Sequence, residues 1–106
     1  MTASNVLPVV RFLAEAEAEL DDTVRYYDRQ RAGLGSEFAT EVEFAVARVR
    51  QFPLAWQQLS RRIRRARLTR FPYGLVYAPL TSEIVILAVM HLHRKPDYWT
   101  PRLSQI

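Results

Sequence analysis

The sequence predicts an α+β fold: a small, antiparallel-rich sheet with a two-helix hairpin on one face, in the order β-α-α-β-β-β. Three observations carry this. Residues 14–52 hold two apolar stripes at helical spacing, separated by Gly33-Leu34-Gly35. Residues 61–93 read as three β-rich runs broken by Pro and Gly. The chain has 106 residues, the size of one domain, and 49% of them are apolar, enough to build a core without staples.

Residues 1–8 read as a flexible tail ending at Pro8, with the domain spanning 9–106. Val9-Val10-Arg11-Phe12-Leu13 is a short β-rich run suited to an edge strand. From Ala14 the chain turns to helix formers. Leu20, Val24 and Tyr27 recur at i, i+4 and i+7, with acids at the start and arginines at the end, as the helix dipole favours. The early acids read as a solvated helix start. Gly33 is expected to stop this helix and Ser36 to cap the next. Phe38, Val42, Ala45, Val49 and Phe52 form the second stripe, which Pro53 ends.

Leu54 to Ser60 is expected to be a connecting loop. Arg61 to Arg70 holds six arginines in ten residues: Arg61, Arg62, Arg64, Arg65, Arg67 and Arg70. On a strand these divide between both faces, which predicts a strand exposed on one side or at an edge. After Phe71-Pro72-Tyr73-Gly74, Leu75 to Ala78 is β-like. Glu83 to His93 is apolar on both faces, as a central strand requires.

Charge narrows the function. Residues 1–50 carry nine acids and six arginines, net −3, while residues 51–106 carry nine bases and two acids, net +7. The basic half calls for an anionic partner, either nucleic acid or an acidic protein. An alternative reading makes the arginines a solvated guard against edge-to-edge aggregation. With no cysteine and two histidines, disulfides, thiolate sites and a structural zinc site are not expected. The three glycines form no phosphate loop, and neither a Gly-x-Ser-x-Gly elbow nor a metalloprotease motif occurs. No cofactor or metal is expected. No signal peptide or membrane span is read, so the expectation is a soluble, cytoplasmic protein without a membrane partner.

The segment His91-Leu-His-Arg-Lys-Pro-Asp-Tyr-Trp-Thr-Pro-Arg102 clusters imidazoles, cations and aromatics where the apolar strand ends. His91, Arg94 and Tyr98 are the candidate catalytic groups, able to move protons and stabilise phosphate charge. Arg61, Arg62, Arg64, Arg65, Arg67, Arg70 and Lys95 are the candidate nucleic-acid or target contacts. Residue types alone favour a plainer outcome, in which Tyr98 and Trp99 fold back as core aromatics and His91 ends the strand.

Taken together, these pieces resemble the RelE/ParE toxin superfamily over nearly all of residues 10–102. The resemblance is carried by the acidic helix ending in Tyr26-Tyr27, Gly33-Leu34-Gly35 with Phe38, Gln51-Phe52-Pro53, the arginine strand, Phe71-Pro72-Tyr73, and Ile86-Leu87-Ala88-Val89 followed by His91, Arg94, Pro96, Tyr98 and Trp99. It implies a toxin silenced by an antitoxin whose carboxyl-terminal segment wraps it, and the arginine strand leads one to expect that segment to be acidic. Leu20, Val24, Tyr27, Phe38, Arg65 and Arg67 are the expected antitoxin contacts, and operator DNA is reached only through the antitoxin. The RelE branch cuts mRNA on the ribosome, and the ParE branch acts on DNA gyrase. Aligned on Arg94 and Tyr98, the last-strand arginine of the ribonuclease branch falls on Leu92. Its lysines have Arg64 and Arg65 as stand-ins. The expectation is therefore a ParE-like gyrase inhibitor. The alternatives are a RelE-like nuclease and an inactive member that only binds its antitoxin.

Overall fold

The computed structural model describes residues 7–106. Of the expected tail, residues 1–6 lie outside the described residues, and Leu7-Pro8 lead into the first strand. The elements are β1 (Val9–Phe12), α1 (Ala14–Gln30), α2 (Leu34–Gln51), β2 (Gln57–Ser60), β3 (Ile63–Arg67), β4 (Tyr73–Pro79), β5 (Glu83–His91) and a 3₁₀ helix, Thr100–Gln105. The strands form one sheet in the order β1-β5-β4-β3-β2. Only β1, against β5, pairs parallel. The α+β fold with its helix hairpin stands as expected.

The helices meet closely at one point. A Cβ on Gly35 would lie 2.3 Å from the Val24 carbonyl oxygen and 2.8 Å from Asp28 Cγ, so only glycine lets α2 start there. The Asp28 carboxylate accepts the Gly35 N–H at 2.8 Å, partnering a free donor in the first turn. Gly33, at φ 89°, makes the turn between the helices and stands at the N-cap of α2. The expected Ser36 cap is thus corrected: the N-cap stands three residues earlier, at Gly33, and Ser36 lies inside α2.

Phe38, Val42, Ala45 and Val49 are buried as their spacing predicts, but Phe52 is 57% exposed. It sits just past the last turn of α2, with φ −135° and ψ 68°, where helical periodicity no longer applies. On the helix-covered face, Phe38, Val42 and Ala45 meet Leu75, Phe71 and Val89. Ala16 and Val49 meet Ala66, Tyr77, Ile84 and Ile86.

The opposite face is covered too. Leu13, Ile63, Val76, Ala78, Val85, Leu87, Ala88 and Met90 pack with Trp99, and Tyr98, Leu103 and Ile106 join them. The carboxyl-terminal segment therefore folds back as a second layer. A bulge in β5 adjusts the faces. Val76 pairs with Ala88 and Tyr77 with Ile86, leaving Leu87 as an extra residue. Ile84 and Ile86 before it, and Val89 after it, all reach the helix side.

Two further expectations change. Residues 57–60 are a strand rather than loop, antiparallel to β3. The arginine run is strand only over Ile63–Arg67, and β2 covers its outer edge.

Candidate functional site

On β3 the side chains alternate as a strand dictates. Ala66 faces the helices, while Ile63 faces the carboxyl-terminal layer. The six arginines then fall into different roles. Arg61 and Arg62 are exposed in the β2–β3 turn. Arg64 donates to the carbonyls of Leu54 and Trp56, at 3.0 and 2.8 Å, pinning the chain after α2. Arg65 is half-buried and donates to Gln57 Oε1 at 3.0 Å. Its stem crosses Gly74, where a Cβ would lie 3.0 Å from Arg65 Cγ. Desolvation, followed by the neighbouring charge of Arg67, pulls the Arg65 pKa below its ordinary value. Arg67 is exposed. Arg70 pairs with Glu37 at 2.8 Å, and this bond holds Glu37 below the usual carboxylate range.

Among the described residues, Arg61, Arg62, Arg64, Arg65, Arg67 and Lys95 make no ion pair with a carboxylate. Several acids of the helices are engaged elsewhere: Glu41, for example, accepts the backbone N–H groups of Thr69 and Arg70. The β3 side of the molecule thus keeps its positive charge and can attract an acidic segment or a phosphate backbone.

The carboxyl-terminal cluster divides. β5 ends at His91, whose Nδ1 accepts the His93 N–H at 3.0 Å, so the ring proton sits on Nε2. The His91 ring lies edge-on to Tyr73 at 4.9 Å. With Glu19, Asp22, Thr23, Tyr73, Val89 and Arg94 it lines a hollow of about 180 Å³. His91 and Arg94 are therefore brought together. Tyr98 is not in the lining but packs against two residues that are: its hydroxyl donates to Glu19 Oε2 at 2.8 Å, and its ring lies under Arg94 at 3.8 Å. Burial and the bond to Glu19 push its pKa up, so it holds its proton. Trp99 is 5% exposed and donates to the Pro96 carbonyl at 2.9 Å. Tyr98 and Trp99 fold back, as the plainer reading of this segment had it.

Glu19 is the residue that sequence reasoning missed. β1 covers β5 only as far as Ile86. Beyond it, Glu19 Oε1 accepts the Val89 N–H at 3.0 Å, and Arg102 donates to the Leu87 carbonyl at 2.8 Å. Arg102 also grips both Glu19 oxygens, at 3.0 and 2.9 Å. The pair stands in for the missing strand partner and clasps the carboxyl-terminal layer to α1. Arg102 gave a signal only as one cation in the terminal cluster. Glu19 gave none, lying in a run of acids 83 residues away.

Leu20 lines a second hollow, of about 290 Å³, with Phe12, Ala39, Val42, Glu43 and Val46. Val24 and Tyr27 are half-buried further along α1. Phe38 is corrected: at 0% exposure it has no surface to offer a partner, and its ring packs edge-to-face with Phe71 and Tyr73 and tilted against Tyr27 beneath the helices. Among the described residues, no group of three or more His, Asp or Glu side chains could hold a metal ion. Nor is any helix among them long and apolar enough to cross a membrane.

No curated protein sequence matches the chain. Among solved structures, the fold is similar to a chain described as "Chromosomal ParDE TA system from P. aeruginosa", with a TM-score of 0.72. That likeness covers 82% of this chain and 98% of the other at 16% identity, and so speaks for the fold. Residues 10–96 match the family described as ParE toxin of type II toxin-antitoxin system, parDE. Since the match runs from β1 past the end of β5, the chain belongs to the ParE toxin family of type II toxin–antitoxin systems.

Proposed function

We propose that the chain is a growth-inhibiting toxin that acts on DNA gyrase in the bacterial cytoplasm and is silenced by a cognate antitoxin. One observation carries the reading: family membership extends over residues 10–96, the helix hairpin and the whole sheet. The side-chain roles support it. Arg64, a stand-in for a ribonuclease lysine, is committed to the Leu54 and Trp56 carbonyls, and Tyr98 is committed to Glu19. Neither is free to work on an RNA phosphate.

The antitoxin is expected to lay an amphipathic segment over the Leu20 hollow and to bring acids to Arg61, Arg62, Arg65 and Arg67, reaching operator DNA on the toxin's behalf. Opposite charges then speed association at low salt. Purified protein added to gyrase supercoiling and cleavage assays should inhibit supercoiling and trap cleaved DNA. No effect at excess protein would discard gyrase as the target.

A ribosome-dependent mRNA nuclease is the second reading. It is favoured by the hollow that joins His91, with its Nε2 proton, to Arg94 and Tyr73. A translation-coupled cleavage assay separates the two: cleavage that is lost in His91→Ala would support the nuclease. Normal growth on induction without antitoxin would instead mark an inactive member.

A further inference from the structure

α2 carries a side that neither the sheet nor α1 uses. Phe44 stands on it 61% exposed, at the middle of the helix. Beside it lies a hollow of about 320 Å³ lined by Glu37, Thr40, Glu41, Phe44, Arg48, Thr69 and Arg70, with room for a phenyl ring. This is a different side of α2 from the one lining the Leu20 hollow.

The charges along α2 are ordered. On the Phe44 side, Glu37 and Glu41 lie before Phe44 and Arg48 lies after it. Such a helix is complementary to itself when two copies run antiparallel. With the two-fold axis at Phe44, Thr40 of one copy opposes Arg48 of the other, and Glu41 comes within one residue of it. Each Phe44 then meets the hollow beside its counterpart. An isologous contact requires this relation, in which every surface feature finds its complement on the same patch of the other copy.

We propose that α2 is a self-association surface, and that the chain forms a two-fold dimer through antiparallel α2 helices centred on Phe44. The contact leaves the Leu20 hollow uncovered. It does not depend on which target the toxin acts on.

Sedimentation of the purified chain at about 100 μM, well above a micromolar Kd, should give twice the chain mass. Phe44→Asp should give a monomer, with dimer affinity down at least about 100-fold, as for loss of a central anchor. Its circular dichroism should be unchanged, because Phe44 is outside the core, and its Tm should match that of the wild type diluted below the dimer Kd. Leu54→Asp, which alters another exposed apolar residue, should stay dimeric. The chain has no cysteine, so a single introduced thiol reports the axis. Phe44→Cys should cross-link to itself on mild oxidation. Ser36→Cys, about 12 Å along the helix from the axis, should not. A monomeric wild type, a dimeric Phe44→Asp, or cross-linking at Ser36→Cys alone would overturn the proposal. So would a monomer that loses antitoxin binding on Phe44→Asp, which would give the face to the antitoxin.

Discussion

The two cationic regions of this protein use arginine in opposite ways. At the carboxyl terminus, Arg102 is fully engaged: its side chain is 15% exposed, it grips Glu19, and it supplies a β5 carbonyl with a donor. On β3 and its turn, Arg61, Arg62 and Arg67 are exposed, with no carboxylate partner among the described residues. A charge neutralised inside the fold contributes to stability and has little left for a partner. A charge left open does the reverse. Removing each should therefore act on a different measurement.

The largest effect is expected at the clasp. Glu19→Ala leaves the Arg102 guanidinium, the Tyr98 hydroxyl and the Val89 N–H without their acceptor. Breaking a buried pair in this way costs roughly 3 kcal/mol, or about 10–20 °C in Tm for a domain of this size. Glu19→Gln retains one acceptor and should fall between. An unchanged Tm in Glu19→Ala would break the contrast between the two regions.

A smaller effect is expected from alkali. Burial pushes the Tyr77 phenol up to about 12, and Tyr98 is raised further by its bond to Glu19. Below the free tyrosine value near 10, folded and unfolded chains both hold these protons, so stability is flat. Above it the unfolded chain releases them while the folded chain still retains them, so stability falls as pH rises. Tm measured from pH 8 to 11.5 should decline from about pH 10, and less steeply in Tyr98→Phe.

The smallest effect on stability should come from the open arginines. Substituting Arg61, Arg62 and Arg67 by Gln one at a time should move stability within about 0.5 kcal/mol. The same changes combined should slow antitoxin association and flatten its salt dependence. A loss of Tm matching that of Glu19→Ala would mean these charges serve the fold after all.

Much of the framework was legible because its signals are local. Leu20, Val24 and Tyr27, and Phe38 to Val49, repeat at the spacing of a helical face whatever they pack on. Ile84 to Met90 is apolar on both sides, and only an interior strand tolerates that. The strand Gln57–Ser60 was not legible: an edge strand in which Leu59 alone packs inward has no apolar alternation, so it reads as loop. Phe52 misled because periodicity was extended one residue past the helix. At the candidate site, the strand-end position of His91, the folding back of Tyr98 and Trp99, and the excess of positive charge around β3 were readable. Which of the β3 arginines stay open was not, nor the part that Glu19 plays.

Composition and periodicity are enough to set the helix hairpin, the central strand and the excess of positive charge in the second half, since each depends on neighbours along the chain. Which arginines stay open and which are neutralised was decided only on folding. Glu19 meets Arg102 across 83 residues because β1 stops short of the end of β5, and backbone groups left bare there must find partners.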